Sequence, residues 1–287
     1  MGTDYKALKN GGFMRQRQKD KFSFRLKVVG GNITSDQARA MAEAADRYAA
    51  GRLHLTSRQG VEIPFVDLKD TEECRAFLAG RGVDASVCGP RVRTVTACQG
   101  DEICPSACID SSGLAREISE RYFGRGLPHK FKFGVTGCVN NCLKAEENDL
   151  GVKGGMFVEL DAGACTGCGI CVHACRDGAL ALAGEDGPAV IDRSKCNNCG
   201  RCVHACPADA WSGRPGYRLF FGGTFGNRIG LGRDLMPLLA DTADLFAAAD
   251  RAVDFFAEHA KPGERFRAAI DRTGWEALRK RVNGVGS

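Results

Sequence analysis

Eleven residues occur twice in this chain with little change: CTGCGICVHAC at 165–175 and CNNCGRCVHAC at 196–206, 31 positions apart. Each copy carries cysteines spaced C-x2-C-x2-C-x3-C. The repeat dominates a cysteine content that is itself unusual, 15 among 287 residues. That is too few for a small disulfide scaffold and too many for an ordinary reduced protein. The N-terminal stretch MGTDYKALKNGGFMRQRQKDKF has no apolar core of the kind a secretory signal needs. The thiols are therefore expected to stay reduced and to be bound to metal or to clusters.

Composition sets the outer limits. Hydrophobic residues make up 44% and charged residues 26%, enough to bury a core as one large domain or two smaller ones. The net charge of +5 is local. Residues 1–30 carry eight basic side chains (Lys6, Lys9, Arg15, Arg17, Lys19, Lys21, Arg25, Lys27) against Asp4 and Asp20, or +6, which leaves the remainder at −1. A basic arm on a balanced chain favours an anionic ligand over a general nucleic-acid partner. No stretch reaches the roughly 18 uninterrupted apolar residues of a membrane span, and the expected location is cytoplasmic.

Periodicity suggests an α+β chain. SFRLKVV (23–29) reads as a strand ending at Gly30-Gly31, and Thr34-Ser35-Asp36 offers caps for an Ala-rich helix that stops at Gly51. Two short strands around Gly60 and a helix at 69–80 complete a first unit. Further on, strands are expected at 91–97, 130–137, 155–161 and 217–223, with helices at 111–124 and through 233–280.

The repeat has the spacing of a two-cluster bacterial-type ferredoxin, in which the fourth cysteine of each run ligates the other cluster. On that pattern Cys165, Cys168, Cys171 and Cys206 hold one [4Fe-4S] cluster, and Cys196, Cys199, Cys202 and Cys175 hold a second. Zinc also takes C-x2-C pairs, but it has no need of a third cysteine two residues on in both copies. Arg176 stands where the pattern usually has proline after Cys175, a loop-shaping position and not a ligand.

A second constellation, Cys98-x5-Cys104 and Cys138-x3-Cys142, resembles the signature of the sirohaem-dependent sulfite and nitrite reductases. The resemblance implies that these four thiolates bind one [4Fe-4S] cluster and that Cys142 also bridges it to the sirohaem iron. It extends to basic positions: Arg25 in FRLKVVGG, Arg58 in LTSRQG, Arg93 in VRTVTAC, and Lys130 and Lys132 in HKFKFG. Sirohaem is a polycarboxylate and the substrate an oxyanion, so buried cations are chemically required. Lys130 and Lys132, two apart in a strand, point to one face. Arg25, Arg93, Lys130 and Lys132 are expected to bind the anion and supply protons, with Arg91 as an alternative to Arg93, and Arg58 is expected to bind a sirohaem carboxylate. FFGGTFGNRIGLGRDL (220–235) resembles the family's glycine-rich segment near the haem, with Asn227 and Arg228 within reach of its carboxylates. No G-x-G-x-x-G fingerprint is present, so a nucleotide or flavin site is not expected.

The resemblance implies a ferredoxin-like half domain at 1–80, a sirohaem/[4Fe-4S] domain formed by 81–160 and 212–287, and an inserted 2[4Fe-4S] ferredoxin module at 161–211. It implies six-electron reduction of sulfite to sulfide, with electrons from a separate flavin and iron–sulfur protein or a ferredoxin. Three alternatives stand: reduction of nitrite to ammonia, a non-catalytic electron carrier, and a sulfur-relay relative. Relatives often hold two fused copies of the unit and this chain has one, so a homo-oligomer is possible. Cys74, Cys88 and Cys108 fall outside every ligand set. His54, His129, His173 and His204 lack metal-ligand spacing, and of these only His129 is near a candidate site, next to the lysine pair.

Overall fold

The computed structural model describes residues 3–284; residues 1, 2 and 285–287, which the outer domain bounds include, lie outside the described residues. The basic arm is not a free extension. Asp4 caps helix α1 (Tyr5–Asn10) by accepting the N–H groups of Lys6 and Ala7 at 2.9 and 3.0 Å, and strand β1 (Phe13–Arg15) follows. Strand β2 (Lys21–Arg25) alternates so that Phe22 and Phe24 face inward, with the Phe13 ring stacked on Phe24 at 4.0 Å.

Helix α2 (Ser35–Tyr48) starts with a reciprocal cap between Thr34 and Gln37. It leads to β3 (His54–Leu55), β4 (Val61–Asp67) and helix α3 (Thr71–Ala79). The strands form an antiparallel sheet in the order β1-β2-β4-β3. Its own core holds Phe13, Phe22, Phe24, Met41, Ile63 and Leu78.

A second core is built on a mixed five-stranded sheet, β11-β10-β7-β6-β5. It comprises β5 (Thr96–Ala97), β6 (Phe133–Thr136), β7 (Leu150–Leu160), β10 (Trp211–Phe221) and β11 (Arg233–Asp234), with helix α4 (Ser111–Tyr122) packed beside β5 and β6. The expected strand at 91–97 shrinks to two residues, because Arg91 and Val92 make only isolated bridges. Strands β7 and β10 begin earlier than expected. Gly151, Gly154, Gly155, Gly213 and Gly216 remove the alternation that marks a strand in sequence, yet all eleven pairs of the ladder form.

Leu160 of β7 pairs with Trp211 of β10, and everything between hangs from that hairpin. The segment contains helix α5 (Ile170–Ala174), strands β8 (Leu180–Leu182) and β9 (Ala189–Ile191) paired with each other, and helix α6 (Arg201–Ala205). The sequence repeat is a structural repeat too. Each short helix follows a left-handed glycine, Gly169 (φ 72°) and Gly200 (φ 71°), which a side chain would strain.

The chain closes with helices α7 (Thr242–His259), α8 (Phe266–Thr273) and α9 (Trp275–Val282), while Arg233–Asp241 is not helical as the sequence had suggested. Tyr122 and Arg121 of α4 both bond Asp250 of α7. Among the described residues, no helix is long and apolar enough to cross a membrane.

Candidate functional site

The basic residues singled out in sequence converge. Arg25, Arg58, Arg93, Lys130 and Lys132 line one cavity of about 280 Å³ together with Ser57, Glu62, Ser86 and Thr94. Of the eight cations in the N-terminal arm only Arg25 reaches it; Lys21 pairs with Asp67 at 2.8 Å and Arg15 lies over the Tyr5 ring. Arg93 lines the cavity, whereas Arg91 does not.

Lys130 and Lys132 sit just before β6, with Phe131 turned fully inward between them. Phe131 packs on Phe133, Phe256 and Phe266, the ring centroids 5.2 to 5.7 Å away. The aromatic cluster thus uses the C-terminal helices to aim both lysines at the cavity. Burial of that kind is worth roughly 2 kcal/mol or more for a phenylalanine.

The arginines are held by the protein. Arg25 donates through Nε to Glu62 and through Nη1 to the buried Cys88 sulfur at 3.6 Å. Burial alone would lower its pKa, and Glu62 reverses that. Arg93 donates to the Val87 and Gly89 carbonyls at 2.7 and 2.9 Å. Arg58 donates to Asn148 Oδ1 at 3.0 Å and to the Thr94 carbonyl at 3.1 Å. Desolvation, with Arg93 and Arg265 nearby, pulls its pKa down to about 10.

The lysines feel the same crowding. Burial, then Arg58, lowers Lys132 to about 8, while Asp149 works against the drop. Burial and the neighbouring arginines also lower Lys130. His129 is lowered by burial and by Arg265, Lys130 and Arg93; its Nδ1 accepts the Lys130 N–H at 2.8 Å, and it does not line the cavity.

A groove of about 630 Å³ adjoins this cavity, the two sharing Gly60 and Val61. Its walls are Val28, Ile33, Leu55, Val61 and Leu143, with Cys98 and Cys142 among its lining residues. Ile33 and Leu55 are 41% and 76% exposed, an unusual outlay of apolar surface that suits the flat face of a macrocycle whose charged groups would reach the cations of the adjoining cavity. Among the described residues no lysine or arginine lines the groove itself; its polar lining is Asn32, Gln59 and Gln99, and Gln59 spends both ends of its amide on Ala97.

Cys98 follows β5, Cys138 follows β6, and Cys104 and Cys142 lie in the turns beyond. Burial raises the Cys138 thiol, the Asn140 N–H works against it, and the charges of Cys104, Cys98 and Cys142 raise it further. Cys142 is exposed. The Cys98 sulfur accepts the Gly137 N–H at 3.0 Å. Such N–H···S bonds stabilise thiolates and tune clusters. An apolar groove lined by Cys98 and the exposed Cys142, with Cys104 and Cys138 outside its lining, fits a macrocycle coupled to a cluster.

In the hanging segment, Cys175, Cys196, Cys199 and Cys202 line a single small cavity, the set inferred from the crossed ferredoxin pattern. Cys175 and Cys206 each accept a backbone N–H, from Ala179 at 3.2 Å and Ala210 at 3.3 Å, at equivalent places in the two repeats. Burial raises Cys206, but the N–H groups of Ala208, Ala210 and Trp211 outweigh it and leave the thiol lowered. Among the described residues, no three His, Cys, Asp or Glu side chains are gathered closely enough for a single metal ion.

Cys108 takes a position its sequence did not reveal. Its sulfur lies 4.0 Å from the Cys199 carbonyl, and its N–H donates to the Gly137 carbonyl at 2.7 Å, beside Cys138. It therefore links the two cysteine groups. Asn227 and Arg228 are exposed and line neither cavity. The glycines near them serve the protein's own packing: a Cβ on Gly223 would lie 2.0 Å from the Glu146 carbonyl oxygen.

Three polar residues at the site escaped the sequence reading. Asn148 anchors Arg58. Asp149 is fully buried and accepts the Lys132 N–H at 2.9 Å. Arg265, just ahead of α8, donates to both Asp149 oxygens at 3.2 and 3.3 Å.

Comparison with known proteins identifies the family. Residues 88–285 match the nitrite and sulphite reductase 4Fe-4S domain, and residues 14–80 match the nitrite/sulfite reductase ferredoxin-like half domain. The chain belongs to the nitrite and sulphite reductase family. It is 35% identical over 205 residues to the C subunit of the anaerobic sulfite reductase of Salmonella typhimurium, covering 66% of this chain and 60% of that protein. The match thus spans less than two thirds of that relative's length. A ferredoxin–nitrite reductase of Leptolyngbya laminosa is 28% identical over 157 residues, covering 51% of this chain and 31% of that one. The crystal structure of dissimilatory sulfite reductase I superposes with a TM-score of 0.75 at 20% identity, over 93% of this chain and 70% of the other, a likeness of fold.

Proposed function

We propose that the chain is a sulfite reductase that converts sulfite to sulfide in six electrons. Residues 1–80 would form the half domain, 81–160 with 212–287 the sirohaem/[4Fe-4S] domain, and 161–211 a ferredoxin module. The observation that carries the reading is the convergence of five cations on a cavity that adjoins a groove bearing Cys98 and Cys142. Cys98, Cys104, Cys138 and Cys142 would hold a [4Fe-4S] cluster beside a sirohaem, the cysteines of the module would hold two more clusters, and these groups would supply the redox chemistry.

The chain's own residues do the rest. Arg25, Arg93, Lys130 and Lys132 would offset the charge of the oxyanion with charge-assisted hydrogen bonds, and Arg58 would take a sirohaem carboxylate. Lys132, lowered to about 8, can hold a proton at Nζ and give it up near neutral pH to a departing oxygen. Cys108 places the Cys199 carbonyl and the Gly137 carbonyl within one residue of each other, a short connection from module to site. The electron donor is proposed to be a separate iron–sulfur or flavin protein. Nitrite fits the same cations and is the runner-up; the higher identity to a sulfite reductase component favours sulfite.

The test is sulfide formation by protein purified anaerobically with its cofactors, reduced viologen serving as donor. Lys130→Met and Lys132→Met should each lower turnover by about 100-fold while the haem absorption persists. Loss of the haem in either variant would remove that lysine from the anion site. A wild-type protein that takes up no sirohaem would contradict the reading and favour an electron carrier.

A further inference from the structure

The anion pocket is short of negative charge when it is empty. Arg58, Arg93, Lys130, Lys132 and Arg265 lie close enough together to perturb one another. Two carboxylates answer them. Glu62 is taken up by Arg25, and Asp149 lies behind the cavity wall at 0% exposure. A lone buried carboxylate is costly: burial raises the Asp149 pKa and Arg265 and Lys132 pull it back toward the charged form, so its partners define its role.

Those partners come from three parts of the chain. Asp149 Oδ2 accepts the Lys132 backbone N–H, both oxygens receive Arg265 Nη2, and the adjacent Asn148 receives Arg58. The Asp149 carbonyl also accepts the Gly222 N–H at 2.8 Å, which fixes the residue from behind. Two consecutive residues, 148 and 149, thus hold Arg58 and the backbone at Lys132, both of which line the pocket.

We propose that Asp149, clamped by Arg265, is a positioning residue of the anion pocket: its buried carboxylate fixes the backbone at Lys132 and supplies the counter-charge that keeps the cations convergent before the anion arrives. The inference rests on the reading of this pocket as the sulfite site. Arg265 acts through Asp149 and lines neither cavity. Its place at the start of α8 also makes the pocket depend on the C-terminal helices, which the Phe131–Phe266 contact brings alongside.

The experiment uses the holoenzyme and reads sulfite binding by calorimetry alongside turnover, so that binding is measured even if turnover fails. Asp149→Asn keeps the shape and removes the charge. It should weaken sulfite binding and lower kcat/KM by about 10–100-fold, the usual effect of losing a supporting partner. The pH at which binding falls off should move lower, because Lys132 then faces Arg58, Lys130 and Arg265 without its counter-charge. Arg265→Gln should reproduce the binding loss, and Arg265→Lys should restore part of it. Asp149→Asn combined with Lys132→Met should cost little more than Lys132→Met alone.

Asp149→Asn protein that keeps its haem, binds sulfite within twofold of wild type and shows an unmoved pH limb would overturn the proposal. If Asp149→Asn fails to fold, Arg265→Gln decides by the same criteria. Wild-type protein that binds sulfite without reducing it would sink the proposed activity and leave the positioning claim standing on the binding data.

Discussion

Arg58 Nη1 and Asn148 Oδ1 lie 3.0 Å apart, joining the loop between β3 and β4 of the first sheet to the entry of β7 in the second. Two separate hydrophobic cores meet at this bond, and the anion pocket is the space beside it. The cations of the site are therefore part of what joins the two cores.

Arg58→Ala should destabilise the protein by about 2–4 kcal/mol, since it strands the Asn148 amide and the Thr94 carbonyl. Chemical denaturation followed by circular dichroism checks this. Gly134→Ala should act on the same bond from the other side, because its Cβ would fall 2.2 Å from Asn148 Nδ2. Full stability in Gly134→Ala would show that Asn148 has room to move.

The pH dependence has a defined sign. Lys132 is charged below about 8 and neutral above it. Sulfite binding should weaken as pH rises from about 7.5 through about 9.5, a range over which sulfite itself is largely dianionic, and Lys132→Arg should flatten that limb. Stability runs the other way. The fold disfavours the charged lysine, so unfolding free energy should rise between about pH 8 and pH 10.5 as the unfolded state retains the extra proton.

Thiol labelling separates structural cysteines from ligands. In cluster-free protein the exposed Cys142 and Cys168 should alkylate first. Burial pushes Cys74 to about 12 and Cys108 to about 11, so both should lag. In the folded, reconstituted protein the twelve proposed ligands should stay unlabelled under conditions that alkylate Cys142 and Cys168 of the cluster-free protein. Mass spectrometry reads both experiments, and a labelled Cys175 or Cys206 in reconstituted protein would contradict the crossed ligation.

Cys142→Ser should keep the fold, since the side chain is exposed, and should abolish magnetic coupling between haem and cluster. Electron paramagnetic resonance measures it directly. An unchanged coupling signal would assign the bridge to another thiolate.

Much of the site was legible because its chemistry is local in sequence. Repeated cysteine spacing, a K-x-K pair and an Arg a few residues before a cysteine can be read without a fold, and Arg25, Arg58, Arg93, Lys130 and Lys132 line one cavity. Asp149 and Arg265 were not legible. They are 116 residues apart and meet only when the start of α8 comes beside Phe131, and an arginine in a helical, charged quarter looks like a solvated one. Cys108 was hidden for the same reason, as its partner Cys199 is 91 residues away. The long strands β7 and β10 were underread because glycine erased their alternation, whereas α2 announced itself through its Thr34–Gln37 cap.

The central claim is the reaction at the pocket beside Cys142. Its most direct test is to give the same anaerobic, cofactor-loaded protein sulfite and nitrite in parallel, with reduced viologen, and to compare kcat/KM for sulfide with that for ammonia. The account predicts sulfide as the preferred product. Ammonia as the preferred product, or no reduction of either anion by protein carrying its full haem, would contradict it.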